Sequence, residues 1–297
     1  MSNENKKRLT AYLKLTAAAV IWGISFIATK VAVAEVPPAV IIWLRFSIAV
    51  IILFFYLLLR KKLSLPSNQD LGYLALLGFL GVSLHQWLQS TGLVTAQAST
   101  TSWLVSTSPI FMALLAWGFL KEKITLSSFV GILLASLGVL LVVSHGNIGS
   151  IFHGDFGSVG NILVLFSAMN WAVFSVLSRR ALDKYSAMFV LFYAMLFGVL
   201  FSSIHFLSIQ GWMYIHQLSP IAWLAVAFLG IGCSFLAYTF WYDGIKSIGA
   251  TQAGAFLYIE PLVSMVVAAM VLNESITLAA LLGGSLILVG VWLVNRM

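Results

Sequence analysis

The sequence predicts an all-α membrane protein of ten transmembrane helices, arranged as two inverted-topology five-helix repeats. Three observations predict it. The composition is too poor in charge for water, ten apolar runs approach spanning length, and the chain repeats itself after an odd number of those runs.

Of the 297 residues, 61% are hydrophobic and 8% are charged. A soluble domain carries roughly 25% charged residues. A chain this poor in charge cannot cover its own surface in water, whereas lipid solvates apolar side chains directly. The formal charge of +7 does not call for a nucleic-acid partner. The basic residues sit in short clusters between apolar runs, where they read as topology signals. The one cysteine, Cys233, excludes an internal disulfide framework and a Cys-based zinc site. Lys6, Lys7 and Arg8 before an apolar stretch, with Ala32-Val33-Ala34 after it, imitate a signal peptide. Lys30 interrupts that pattern, and the segment has a copy later in the chain, so it reads as the first helix.

The apolar runs lie near 10–33, 39–59, 70–91, 97–119, 125–144, 158–178, 187–208, 218–241, 249–272 and 277–295. Each is close to the roughly 20 residues a helix needs to span. Breaks fall at Pro37-Pro38, Arg60-Lys61-Lys62, Lys121-Glu122-Lys123 and Arg179-Arg180. Fourteen of the 16 Lys and Arg fall on one side of this arrangement. The other two, Lys30 and Arg45, lie within or at the ends of helices 1 and 2, and the opposite loops hold none. The positive-inside rule therefore puts both termini in the cytoplasm of a multi-pass protein of the cell membrane.

Shifting the chain by 152 lays Gly92–Val142 on Gly244–Val294 with 15 of 51 positions identical. The informative matches are Gly92 with Gly244, Pro109 with Pro261, Glu122 with Glu274, Gly131 with Gly283 and Gly138 with Gly290. Earlier in each half the shift is 149, which aligns Trp22 with Trp171, Lys30 with Arg179, and Phe79-Leu80-Gly81 with Phe228-Leu229-Gly230. The halves are then 1–149 and 150–297 of one integrated membrane domain. Five crossings is an odd number, so the second copy enters from the opposite face. Many secondary transporters have this architecture.

These residues together resemble the drug/metabolite transporter superfamily, specifically its EamA-type carriers. The resemblance rests on Trp22-Gly23 with Lys30, Pro37 before Arg45, Gly92, Pro109 and Glu122. In the second half it rests on Tyr258-x-Glu260-Pro261 and Glu274. It covers nearly the whole chain. It implies a proton-linked or exchange carrier of small metabolites, most often an exporter, and it does not name the substrate.

No phosphate-cradling loop G-x-x-x-x-G-K-[ST] is present, and neither is H-E-x-x-H or G-x-S-x-G. No cofactor is expected. Intramembrane charge is costly and usually functional. Lys30 and Glu274 end helices 1 and 9 on one side; Arg179 and Glu122 end helices 6 and 4 on the other. Inversion exchanges these pairs, so they are expected to act as gate ion pairs, one at each face. Snorkelling is the competing account of Lys30. Glu260 sits mid-run in helix 9, where its repeat partner is Ser108. It is a candidate for accepting a proton or a substrate amine, against a purely structural role. His85, Gln86 and Gln89 share a helical face. With Trp103, Asn170, Trp171, Tyr238 and Tyr258 they complete the candidate substrate-binding or coupling set. The paired glycines 131/138 and 283/290 imply a helix contact, with a dimer seam as one form of it.

The expectation is a secondary active exporter of small organic metabolites, such as amino acids, working by alternating access. Its partners would be the lipid bilayer, a small-molecule substrate and, as a candidate coupling ion, the proton; monomer and homodimer stay open. The alternative is a polytopic membrane enzyme. It would need a clustered catalytic set at one face, and none is visible.

Overall fold

The computed structural model describes residues 3–120, 126–147, 157–248 and 255–294 of the chain. Among the described residues the regular elements are all helical. The first half contains α1 (Asn3–Val33), α2 (Pro38–Leu59), α3 (Asn68–Gly78), α4 (His85–Thr95), α5 (Ala98–Val105), α6 (Ser108–Leu120) and α7 (Leu126–Val143). The second contains α8 (Val159–Lys184), α9 (Ala187–Ser208), α10 (Pro220–Ala227), α11 (Tyr238–Ile248), α12 (Ile259–Val271) and α13 (Leu278–Val294). Two π-helical segments, Phe79–Leu84 and Phe228–Ala237, join α3 to α4 and α10 to α11 without a break.

Seven helical stretches are long and apolar enough to cross a membrane, and Phe256–Val271 and Leu278–Val294 are shorter apolar helices. Large apolar side chains cover the exterior. Leu59 is 82% exposed, Met270 78% and Leu224 72%, which water would penalise and lipid does not. α1 starts at Asn3, well before the apolar run does.

Two prolines set the interruptions. Proline lacks an N–H and its ring clashes with the carbonyl four residues back. Pro109 lies just inside α6, and the chain breaks at Ser106-Thr107 between α5 and α6. Pro261 lies just inside α12, and a 3₁₀ turn at Ala255–Tyr258 precedes it. The long run expected at 97–119 is therefore two helices. Glu260 sits in the first turn of α12 instead of mid-helix, with 249–254 outside the described residues.

α1 packs against α10, its π segment, α11 and α12; α8 packs against α4, α5 and α6; α2 pairs with α9 and α7 with α13. The glycines expected to mark a helix contact form one within the chain. A Cβ on Gly138 would lie 2.5 Å from the Gly283 carbonyl oxygen, and one on Gly131 2.5 Å from that of Gly290. Only hydrogen at these four positions lets α7 and α13 touch backbone to backbone. At the turn after α1, the Glu35 carboxylate accepts from the Ser219 amide at 2.7 Å and its hydroxyl at 2.6 Å, tying that turn to the start of α10. These bonds hold the Glu35 carboxyl below the usual carboxylate range.

Candidate functional site

The interior of the bundle is polar around Arg45. Its position is eighth in α2, about 10 Å from the helix start at 1.5 Å per residue. The side chain is 6% exposed. Nε donates to Ser234 Oγ at 2.9 Å, Nη1 to Gln86 Oε1 at 3.1 Å and Nη2 to Cys233 Sγ at 3.0 Å. The guanidinium also lies over the Phe46 ring, 4.9 Å from its centroid. All three acceptors are neutral, and a thiol sulfur is a weak one. Among the described residues the ion pairs are Lys14–Asp243 at 2.7 Å and Lys184–Asp70, so Arg45 has no carboxylate partner. Leaving a buried charge without its partner costs about 3–5 kcal/mol.

The two π segments border this region. A π turn widens the helix and is frequent at functional sites. In the first, the Leu80 carbonyl takes the His85 amide five residues on and also accepts from Asn170 Nδ2 at 2.7 Å. In the second, Cys233 and Ser234 face Arg45, and the Cys233 carbonyl accepts from Trp22 Nε1 at 3.3 Å. Trp22 lies edge-on to Tyr238 at 5.2 Å between centroids, and 5.3 Å from Trp241.

Glu260 comes close through the backbone. A Cβ on Gly23 would sit 2.8 Å from the Glu260 carbonyl oxygen, so glycine beside Trp22 lets α1 and α12 meet there. The Glu260 carboxylate makes no side-chain hydrogen bond or ion pair among the described residues. It lies close enough to the Cys233 thiol and the Tyr238 hydroxyl to act on them electrostatically, as does Arg45.

His85 and Gln86 are buried beside Arg45, and Gln89 lies one turn further along α4. The His85 ring packs on Trp171 at 4.9 Å, and its Nδ1–H donates to the Ser167 carbonyl at 3.1 Å. Tyr238, Asn170 and Trp171 fall on the same region. Trp103 and Tyr258 lie elsewhere, in an apolar cluster with Ile110, Met265 and Ile287 between α5, α12 and α13. Sequence reasoning did not put Arg45, Cys233, Ser234 or Trp22 in the site. The available signal was Arg45 itself, a charge in an apolar run.

Lys30 and Glu274 converge without forming an ion pair. The Glu274 carboxylate accepts from the Ala98 amide at 2.7 Å, the Ser99 amide at 3.1 Å and the Ser99 hydroxyl at 2.6 Å. Lys30 Nζ donates to the Ala96 carbonyl. The unpaired N–H groups at a helix start attract a carboxylate, and here they hold Glu274. Both charges thus grip the turn that starts α5. Glu122 lies outside the described residues, as does the side chain of Arg179.

Two cavities of about 440 and 210 Å³ share Ala39, Trp87 and His205 between α2, α4 and α9. Neither is lined by Arg45 or Glu260. Their walls are largely apolar, unlike the surroundings of Arg45.

The EamA-like transporter family matches the chain over residues 9–144 and 158–296. An uncharacterized transporter of Archaeoglobus fulgidus is 30% identical over 95% of this chain and 96% of its own. The uncharacterized transporter YetK of Bacillus subtilis is 26% identical over 97% and 87%. A probable terminal-alkyne amino-acid exporter of Streptantibioticus cattleyicolor is 29% identical over 78% and 75%. A solved crystal structure, 20% identical and covering 95% of both chains, superposes with a TM-score of 0.63, a likeness of fold alone.

Proposed function

The chain belongs to the EamA-like transporter family, and from that premise we propose that it is a secondary carrier that exports small organic solutes, amino acids first among them, by alternating access. The observation that carries this is the interior. Arg45, Gln86, Ser234, Tyr238 and Glu260 converge from α2, α4, the second π segment, α11 and α12, inside a bundle whose exterior is apolar. A membrane protein retains such groups where a polar solute or ion passes.

The carrier has ten spans in two inverted halves, 1–149 and 150–297. Three features support this. The π segments begin at Phe79 and Phe228, which are 149 apart. Helix packing exchanges correctly between halves: α1 rests on the third span of the second half, and α8 on the third span of the first. The tie from Glu35 to Ser219 and the tie from Lys184 to Asp70 also occupy matching positions, since Lys184 lies 149 residues after Glu35 and Ser219 lies 149 after Asp70. Two pseudo-symmetric halves can rock about a central site, opening it to each face in turn.

In proteoliposomes, the wild type should show counterflow for members of a metabolite panel containing the proteinogenic amino acids, and an imposed pH gradient should change the rate. Glu260→Gln keeps shape and size, so it should fold; its transport should no longer respond to the gradient. Absence of counterflow for every solute in the panel would sink the carrier reading. An unchanged pH response in Glu260→Gln would make Glu260 structural. Both termini are cytoplasmic in this arrangement. Reporter tags near Lys62 should therefore be shielded from an impermeant label in intact cells, and a tag near Asp155 should react. A shielded Asp155 tag would contradict the inverted halves.

A further inference from the structure

We infer that Arg45 is the anion anchor of the central site, the group on which a transported solute docks its carboxylate. The inference rests on the carrier reading of the same site. It starts from a donor count. A guanidinium carries five N–H groups, two on each terminal nitrogen and one on Nε. Ser234 takes the Nε proton, while Gln86 and Cys233 each take one from Nη1 and Nη2. One N–H remains on each terminal nitrogen. Two such donors are what a carboxylate engages in a bidentate pair.

Charge points the same way. Arg45 is the one buried Lys or Arg among the described residues, and its partners are an amide, a hydroxyl and a thiol. These hold the fork in position and leave its charge uncompensated. Glu260 and Arg45 both act on Cys233 and Tyr238, yet they do not pair within 4 Å. A guanidinium without an anion and a carboxylate without a cation thus share one region, Arg45 buried and Glu260 half-buried, on separate helices α2 and α12. One positive charge balances one negative charge, so a monoanionic carboxylate fits better than a doubly charged phosphate. Glu260 is left for the solute's cationic group or for a proton. Cys233 needs no redox chemistry here, because its sulfur serves as a fixed acceptor that aims Nη2.

Competition on the wild type tests this. In counterflow with the amino acid that the panel identifies, the free acid should compete at least about tenfold better than its amide, which keeps the amine and lacks the anion. Arg45→Gln should reduce that ratio to about threefold or less. Arg45→Lys, which keeps the charge and loses the fork, should fall between. If Arg45→Gln leaves the ratio unchanged, the anchor lies elsewhere. If the wild type does not distinguish acid from amide, the inference falls whatever the variants do. The same holds if it carries only panel solutes without an anionic group. A wild type that carries nothing at all removes the carrier reading first, which is a different result.

Discussion

Gly138→Leu is expected to destabilise the folded protein strongly. A Cβ there would stand 2.5 Å from the Gly283 oxygen and 2.9 Å from the Ile287 amide nitrogen, both backbone atoms of α13. Backbone cannot rotate away as a side chain can. The helices must separate, and separation also undoes the contact between Gly131 and Gly290. Overpacking of this kind costs about 2 kcal/mol or more, roughly a 30-fold change in the ratio of folded to unfolded protein. Close approach of small residues is what drives helices together in lipid, where the hydrophobic effect between them is absent. The measurement is the monodisperse fraction and the melting midpoint of detergent-purified protein. Gly72→Ala is the control, because a Cβ at position 72 meets nothing within 4 Å and alanine favours the helix by about 1 kcal/mol. Equal behaviour of the two variants would show that the α7–α13 contact is not a determinant of the fold.

Glu274→Ala should loosen one end of the carrier. It removes three hydrogen bonds from the start of α5 and leaves the Ala98 and Ser99 amides without that acceptor. Loss of a helix cap costs about 1–2 kcal/mol, enough to shift a two-state equilibrium about 5- to 30-fold. With Cys233 replaced by Ser, a reporter Ser102→Cys on α5 should react faster with an impermeant thiol reagent added from outside. The double charge exchange Lys30→Glu with Glu274→Lys discriminates between two mechanisms. A direct ion pair survives exchange and transport should partly return. The clamp does not survive it, because lysine cannot accept from the two amides and glutamate cannot donate to the Ala96 carbonyl. The geometry predicts no rescue. Restored transport in the exchanged pair would reinstate direct pairing.

The apolar runs and the internal repeat were determined by the sequence alone. A run of apolar residues is committed to lipid whatever its neighbours are, whereas the break at Ser106-Thr107 ahead of Pro109 emerged only in the structure. The glycine contact was legible for the same reason: two small residues seven apart share a face wherever the helix goes. The site was legible only in part. Glu260, Gln86 and His85 stood out as polar groups in apolar runs, and so did Arg45, yet nothing in the sequence said which groups meet. Arg45 reaches Gln86 across 41 residues and Ser234 across 189. Periodicity relates residues three or four apart and carries no information about such pairs. The tertiary structure decided them. It turned the expected Lys30–Glu274 pair into a shared grip on one turn, because the amides of a helix start lay nearer to the carboxylate than the ammonium did. It also set the fork of Arg45 among three neutral acceptors, because packing of α2 against the second π segment brought Cys233 and Ser234 to it while α4 brought Gln86.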